Sequence, residues 1–189
     1  MDHADHVGLL RDGVAGATGP GARWADLGSG RGAFTLALAD LLGPDAEVWS
    51  LDRDEGALAE QRREIARRFP AAAVHYRVRD FTRPLDLPTL DGVVMANSLH
   101  FVALKEPVLR RIRGCLRPGG RLILVEYDAD RGNPWVPHPL SFRTWQGLAG
   151  RAGFGETRLL ATVPSRFLGR IYSALSLAGP AADGDGIPR

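Results

Sequence analysis

The chain has 189 residues, 24 of them Lys or Arg and 22 Asp or Glu, for a formal charge of +2. That balance excludes a strongly basic nucleic-acid binder, while 44% hydrophobic residues suffice for the core of one domain. Cys115 is the one cysteine, which excludes an intrachain disulfide and a Cys-rich zinc site.

Met1 to His6 lacks the basic-then-apolar pattern of a signal peptide, and no apolar run approaches the ~20 residues needed to span a bilayer. A cytoplasmic protein is therefore expected. Residues 4–14 read as a short amphipathic helix, followed by a Gly/Pro loop and a short apolar strand at 23–27. Helix formers at 31–42 stop at Gly43-Pro44, and a strand runs from Glu47 to Asp52. Residues 54–69 form a helix that opens on Asp54 as N-cap and stops at Pro70. Strands are expected at 73–78 and 91–96, a helix at 104–116, and a Pro-Gly-Gly turn at 118–120. Residues 121–127 make the most apolar strand, 141–152 a helix, and 157–163 and 167–177 two closing strands. The expected organisation is one domain over 1–178 with no cap domain and a disordered tail over 179–189.

Apolar strands alternating with helices imply an α/β, doubly wound, largely parallel sheet with helices on both faces. Ligands bind such sheets at the carboxyl ends of the strands. Asp26, Asp52, Asp80, Asn97 and Glu126 all fall at those ends.

After the first strand comes Asp26-Leu27-Gly28-Ser29-Gly30-Arg31-Gly32. Alternate glycines let the backbone approach a ligand closely and turn tightly into a helix. With Ala33 they also satisfy a dinucleotide fingerprint, so the loop alone does not choose a cofactor. Asp52 closes the second strand 24 residues after Gly28, followed by Arg53. A carboxylate there can accept both ribose hydroxyls, whether the cofactor is a nicotinamide or S-adenosylmethionine. Asp80-Phe81 closes the third strand, where an acid can accept from an adenine amino group and an aromatic can cover the ring.

Together with Asn97-Ser98-Leu99-His100 and Leu116-Arg117-Pro118-Gly119-Gly120, these segments resemble the class I S-adenosylmethionine-dependent methyltransferases of the small-molecule type. The resemblance covers roughly residues 20–165. It implies a Rossmann-like seven-stranded mixed sheet in the order 3-2-1-4-5-7-6, with strand 7 antiparallel, in a three-layer αβα sandwich. It also implies that Asp26, Gly28, Ser29, Gly30, Gly32, Asp52, Arg53, Asp80, Phe81 and Asn97 bind S-adenosylmethionine, with Asp26 and Asn97 near its methionine portion.

The implied reaction is methyl transfer to a small-molecule acceptor by in-line displacement. The methyl is already activated, so the protein mainly binds, excludes water and aligns. A general base is needed only where the acceptor must lose a proton. His100 is the leading candidate; local packing is its competing reading. Tyr127 and His138 are further candidates. The acceptor site is expected to be open, or completed by the 128–140 loop, with Trp135 as an apolar wall, and a homodimer partner; a connecting loop whose Trp135 caps the sheet is the competing reading.

Other readings stay open at this stage: a protein or RNA methyltransferase, suggested by arginine-rich helices, a non-catalytic cofactor binder, and a nicotinamide oxidoreductase. Neither a nucleic-acid partner nor a membrane is expected. His3 and His6 read as an exposed terminus rather than a metal site, and His75 as structural.

Overall fold

The computed structural model describes residues 1–165 and 167–179; the tail expected to be disordered lies, beyond Gly179, outside the described residues. The first helix, α1 (His3–Val14), opens on a capping box in which Asp2 and Asp5 each accept the other's backbone N–H at 2.9 Å. Then follow β1 (Arg23–Leu27), α2 (Ala33–Leu42), β2 (Glu47–Asp52), α3 (Glu55–Arg68) and β3 (Ala73–Val78). The second half holds β4 (Leu90–Ala96), a single 3-10 turn (Leu99–Phe101), α4 (Lys105–Cys115), β5 (Leu116–Tyr127), α5 (Phe142–Arg151), β6 (Phe154–Pro164) and β7 (Arg170–Ala178).

The seven strands form one sheet in the order β3-β2-β1-β4-β5-β7-β6. β7 runs antiparallel to β5 and to β6, and the remaining pairs are parallel. Order, mixed character and flanking helices are those expected. Because both faces are covered, the central strands are apolar on both sides. In β4, Val93 packs with Leu109, Ile112 and Trp145 of α4 and α5 in one core cluster, while Val94 joins Leu10, Val14 and Phe34 of α1 and α2 in the other. Ile65 of α3 packs on Leu36 of α2.

Several boundaries differ from the sequence reading: α2 starts at Ala33 and β7 at Arg170, two and three residues later than expected, and β5 and β6 start early. β5 starts at Leu116, which pairs with Leu90, and the next pair is Arg121 with Gly92. Residues 117–120 are therefore an outward bulge within the strand, with Gly119 at φ 71°, rather than a turn ahead of it. β6 starts three residues early, at Phe154, and is interrupted by two register shifts, so its side chains do not alternate cleanly.

Candidate functional site

The glycine loop is fixed from below. Gly28 and Ser29 both donate their backbone N–H to the Leu51 carbonyl, at 2.8 and 3.0 Å. Gly28, Gly30 and Gly32 have φ of 74°, 53° and 84°, a region that L side chains rarely adopt. A Cβ on Gly28 would stand 2.6 Å from the Ser98 Cβ, and one on Gly32 only 2.3 Å from Gln61. Beneath the loop, Ser29 and Ser50 hydroxyls meet at 2.8 Å, and Ser50 donates to Gln61 Oε1 at 2.9 Å. Neither Ser50 nor Gln61 was singled out by sequence; both are wholly buried.

Asp52 is held at the end of β2 by two backbone donors, Gly30 N–H on Oδ2 at 2.7 Å and Asp54 N–H on Oδ1 at 2.9 Å. Asp80 accepts the Thr82 N–H and hydroxyl on Oδ1, at 2.8 and 2.7 Å. Those bonds, the backbone one first, hold its carboxyl below the usual carboxylate range. Asp26 is different. It is buried below the loop, with Thr35 Oγ1 donating to it at 2.6 Å. Burial pushes its carboxyl up to about 7, against the opposing pull of Thr35.

Asn97 follows β4 in the left-handed region, at φ 51°, the one non-glycine residue with positive φ among those described. Its N–H donates to the Val125 carbonyl at 2.8 Å. Its side-chain Oδ1 is buried with no hydrogen-bond partner, the kind of vacancy that a ligand donor fills.

These elements open into a cleft of about 420 Å³ at the carboxyl ends of β1, β2, β3 and β4. Of the sequence-predicted residues, it is lined by Gly28, Gly30, Asp52, Arg53, Asp80, Phe81 and Asn97. Asp26, Ser29 and Gly32 lie outside the lining. Asp54, Arg79, Thr82, Ser98, Phe101 and Val102 also line it and were not foreseen as site residues. Ser98 anchors the β4 end to β1 by donating to the Leu27 carbonyl at 2.8 Å.

His100 lies in the turn after β4 and is 3% exposed. Its Nδ1 stands 3.1 and 3.0 Å from the two oxygens of Glu126 at the end of β5, and its own N–H donates to Glu126 Oε1 at 3.0 Å. Phe101 and Tyr127 pack on the imidazole at centroid distances of 4.3 and 5.9 Å. Glu126, noted in sequence only as a strand-end acid, thus fixes the ring and leaves Nε2 facing away from the carboxylate.

The 128–140 loop departs from expectation. Asn133 Oδ1 accepts the N–H of both Trp135 and Val136 at 2.9 Å. This turn buries Val136 and leaves Trp135 74% exposed. Neither Trp135 nor His138 lines the cleft or the cavity beside it. His138 is exposed, and its backbone N–H bonds to the carbonyl of His100 at 3.0 Å, a residue that itself lines neither cavity.

The family model described as a methyltransferase domain matches residues 25–122. A ubiquinone/menaquinone biosynthesis C-methyltransferase UbiE of Ectopseudomonas mendocina is 33% identical over 116 residues, covering 61% of this chain and 45% of that protein. The O-methyltransferase cnsE of Penicillium expansum is 31% identical over 144 residues, covering 72% of this chain and 50% of that protein. The chain thus spans about half the length of the curated relatives it matches. In fold, a SAM dependent methyltransferase from Aquifex aeolicus superimposes with a TM-score of 0.70 at 18% identity, covering 92% of this chain and 89% of that one. No helix among the described residues is long and apolar enough to cross a membrane.

Proposed function

The chain belongs to the class I S-adenosylmethionine-dependent methyltransferases, and on that premise we propose that it methylates a small molecule by in-line displacement. The observation that carries this reading is the convergence of the glycine loop, Asp52, Asp80, Phe81 and Asn97 on one cleft.

S-adenosylmethionine supplies a methyl on a sulfonium sulfur, already activated for attack. This chain's residues fit such a group. Asn97 Oδ1 is an orphaned buried acceptor suited to the methionine ammonium, with Asp26 as the nearby acid. Gly28 leaves a cradle that a Cβ would fill against Ser98 and Phe81. Asp52 is assigned to the ribose hydroxyls, Asp80 and Phe81 to the adenine, and Arg53 to the rim of the cleft.

His100 is assigned the acceptor's proton. Glu126 on Nδ1 fixes the tautomer and orientation, which is how a carboxylate makes a histidine an effective base through Nε2. Such a base serves an oxygen or an acidic carbon that must be deprotonated, in keeping with relatives named as O- and C-methyltransferases. Phe101 and Tyr127 exclude water from the ring.

On the arginine-rich helices Arg67 pairs with Glu64 at 2.6 Å and Arg110 with Glu106 at 2.7 Å, which favours a small-molecule acceptor over RNA. The nicotinamide reading lapses with family membership.

Titration calorimetry with S-adenosylmethionine and S-adenosylhomocysteine tests the proposal. Saturable binding of both is expected. Absence of heat with either, in a protein folded by circular dichroism, overturns it.

A further inference from the structure

Asp80, the acid assigned to the adenine, stands at the edge of the sheet. β3 is the outermost strand, so its end has a neighbouring strand on one side only. The Arg79 N–H donates to the Asp52 carbonyl at 2.8 Å, and past that bond residues 80–89 leave the sheet until β4 starts at Leu90. Among the described residues, one side chain from elsewhere in the chain reaches this segment by a hydrogen bond: Arg111 of α4, whose Nη1 donates to the Thr82 carbonyl at 2.5 Å. We infer that Arg111 is a positioning residue that sets the cleft's selectivity for adenine, by holding the Thr82 peptide and, through it, the carboxylate of Asp80. The inference rests on the methyltransferase reading of the cleft.

The bonds form a short chain. Thr82 gives both its N–H and its hydroxyl to Asp80 Oδ1, and its carbonyl accepts from Arg111. One residue thus meets the acid on one side and α4 on the other. Phe81 lies between Asp80 and Thr82 in sequence, packs against the core cluster of Val93 and Leu109, and stands 3.1 Å from where a Gly28 Cβ would be. A shift of the Thr82 peptide would therefore move the acid and the aromatic together. Asp80 Oδ2 has Arg83 Nε at 4.0 Å and accepts no hydrogen bond among the described residues, which leaves one oxygen for an amino donor. Asp52 needs no such brace, because the Gly30 and Asp54 N–H groups fix both of its oxygens.

The direction of Arg111 sets it apart from its neighbour. Arg110 is exposed and pairs with Glu106 at 2.7 Å, one turn back on the same helix. Arg111 is half-buried, pairs with no carboxylate among the described residues, and reaches the rim of the cleft instead. A guanidinium drawn partly out of water without a counter-ion costs free energy, and a charged donor on a carbonyl is stronger than a neutral one and fixes the peptide it meets. A base is chosen by a single hydrogen bond only where the acceptor is held to within about 0.5 Å. The free end of an edge strand does not supply that; an anchor from α4, on the far side of the segment from β2, does.

The test titrates the full chain with S-adenosylhomocysteine and with its purine analogue, in which hydrogen replaces the 6-amino group. The wild type is expected to bind S-adenosylhomocysteine at least about tenfold more tightly than the analogue, which has no amino group to donate to Asp80. In Arg111→Met the affinity for S-adenosylhomocysteine is expected to fall about tenfold and that for the analogue less than about threefold, so the preference shrinks. Arg111→Lys, which keeps a charged donor on a flexible stem, is expected to retain most of the preference. Arg110→Met, which removes an exposed ion pair, is expected to change neither affinity. Circular dichroism verifies the fold, and if Arg111→Met does not fold, Arg111→Gln, whose amide is shorter, takes its place with the same expectation. A brace that is merely structural lowers both affinities by one factor. Equal losses for the two ligands, an undiminished preference in the variant, or a wild type that binds both alike overturns the inference. Failure of the wild type to bind S-adenosylhomocysteine at all overturns the reading of the cleft itself, and this one with it.

Discussion

Asp52 Oδ2 accepts the backbone N–H of Gly30 at 2.7 Å, so the acid that ends β2 and the glycine loop that follows β1 form one unit. Asp52 therefore has two tasks: to hold the loop open and to present its remaining lone pairs to a ligand. Asp52→Ala removes both, and the expected loss of S-adenosylhomocysteine affinity is about a hundredfold or more. Asp52→Asn keeps an acceptor for Gly30 but lacks the charge, and is expected to lose less. Calorimetry on both variants, with circular dichroism to verify the fold, makes the comparison. Equal affinity in wild type and Asp52→Ala removes the ribose assignment.

The second prediction concerns pH. Burial pushes the Asp26 carboxyl up to about 7 in the fold, against about 3.9 for an exposed aspartate. The folded state therefore holds this proton more tightly than the unfolded chain. Its contribution to stability is fully present below about 4 and is lost as pH rises through about 7. The urea midpoint of the cofactor-free protein is expected to fall between about pH 5 and pH 8, and Asp26→Asn, which keeps the acceptor for Thr35, to flatten that fall. A cationic ammonium placed beside Asp26 favours its charged form, so binding of S-adenosylhomocysteine near pH 6.5 should release protons. Calorimetry in buffers of different ionisation enthalpy reads that release directly. A binding enthalpy independent of buffer sinks the placement of the ammonium at Asp26.

Much of this architecture was legible in local patterns. The doubly wound character followed from apolar strands alternating with helices and the strand order from the resemblance to the family, and Gly28, Gly30, Asp52, Asp80 and Asn97 were legible because each lies at or just beyond the carboxyl end of a strand. What escaped depends on contacts between distant segments. Gln61 and Ser50 support the glycine loop from α3 and β2, yet each reads as an ordinary polar residue in its own element. Glu126 acquires its partner only when β4 and β5 lie side by side. Nothing in the 128–140 sequence says that Asn133 turns Val136 inward and Trp135 outward.

Gly92 shows the same limit and yields a third prediction. It sits in β4 directly opposite Trp24 of β1, and a Cβ on it would stand 2.3 Å from the wholly buried indole. Only glycine leaves room for that ring in an ordinary strand conformation. Gly92→Ala is expected to cost about 1–3 kcal/mol by overpacking, seen as a lower urea midpoint with unchanged slope. Gly114→Ala, where a Cβ meets nothing within 4 Å, serves as the comparison and is expected to be neutral or slightly stabilising by about 0.5 kcal/mol. Equal midpoints for the two variants contradict the register argument.

The last prediction separates a working His100–Glu126 pair from a merely structural one. Glu126 accepts from His100 N–H at 3.0 Å and from Tyr127 N–H at 3.2 Å, besides meeting His100 Nδ1. Glu126→Gln preserves size and can still accept from a backbone donor, but it lacks the charge that steadies a protonated imidazole. Methyl transfer to a hydroxyl-bearing acceptor is expected to slow by about a hundredfold, with S-adenosylhomocysteine affinity within about threefold of wild type. His100→Ala is expected to slow transfer by about as much or more. Because the two residues act on one proton, the double variant should be little slower than the worse single variant. Independent, additive losses in kcat, or parallel losses of rate and cofactor affinity, mean that the pair only braces the end of β5 against the turn after β4.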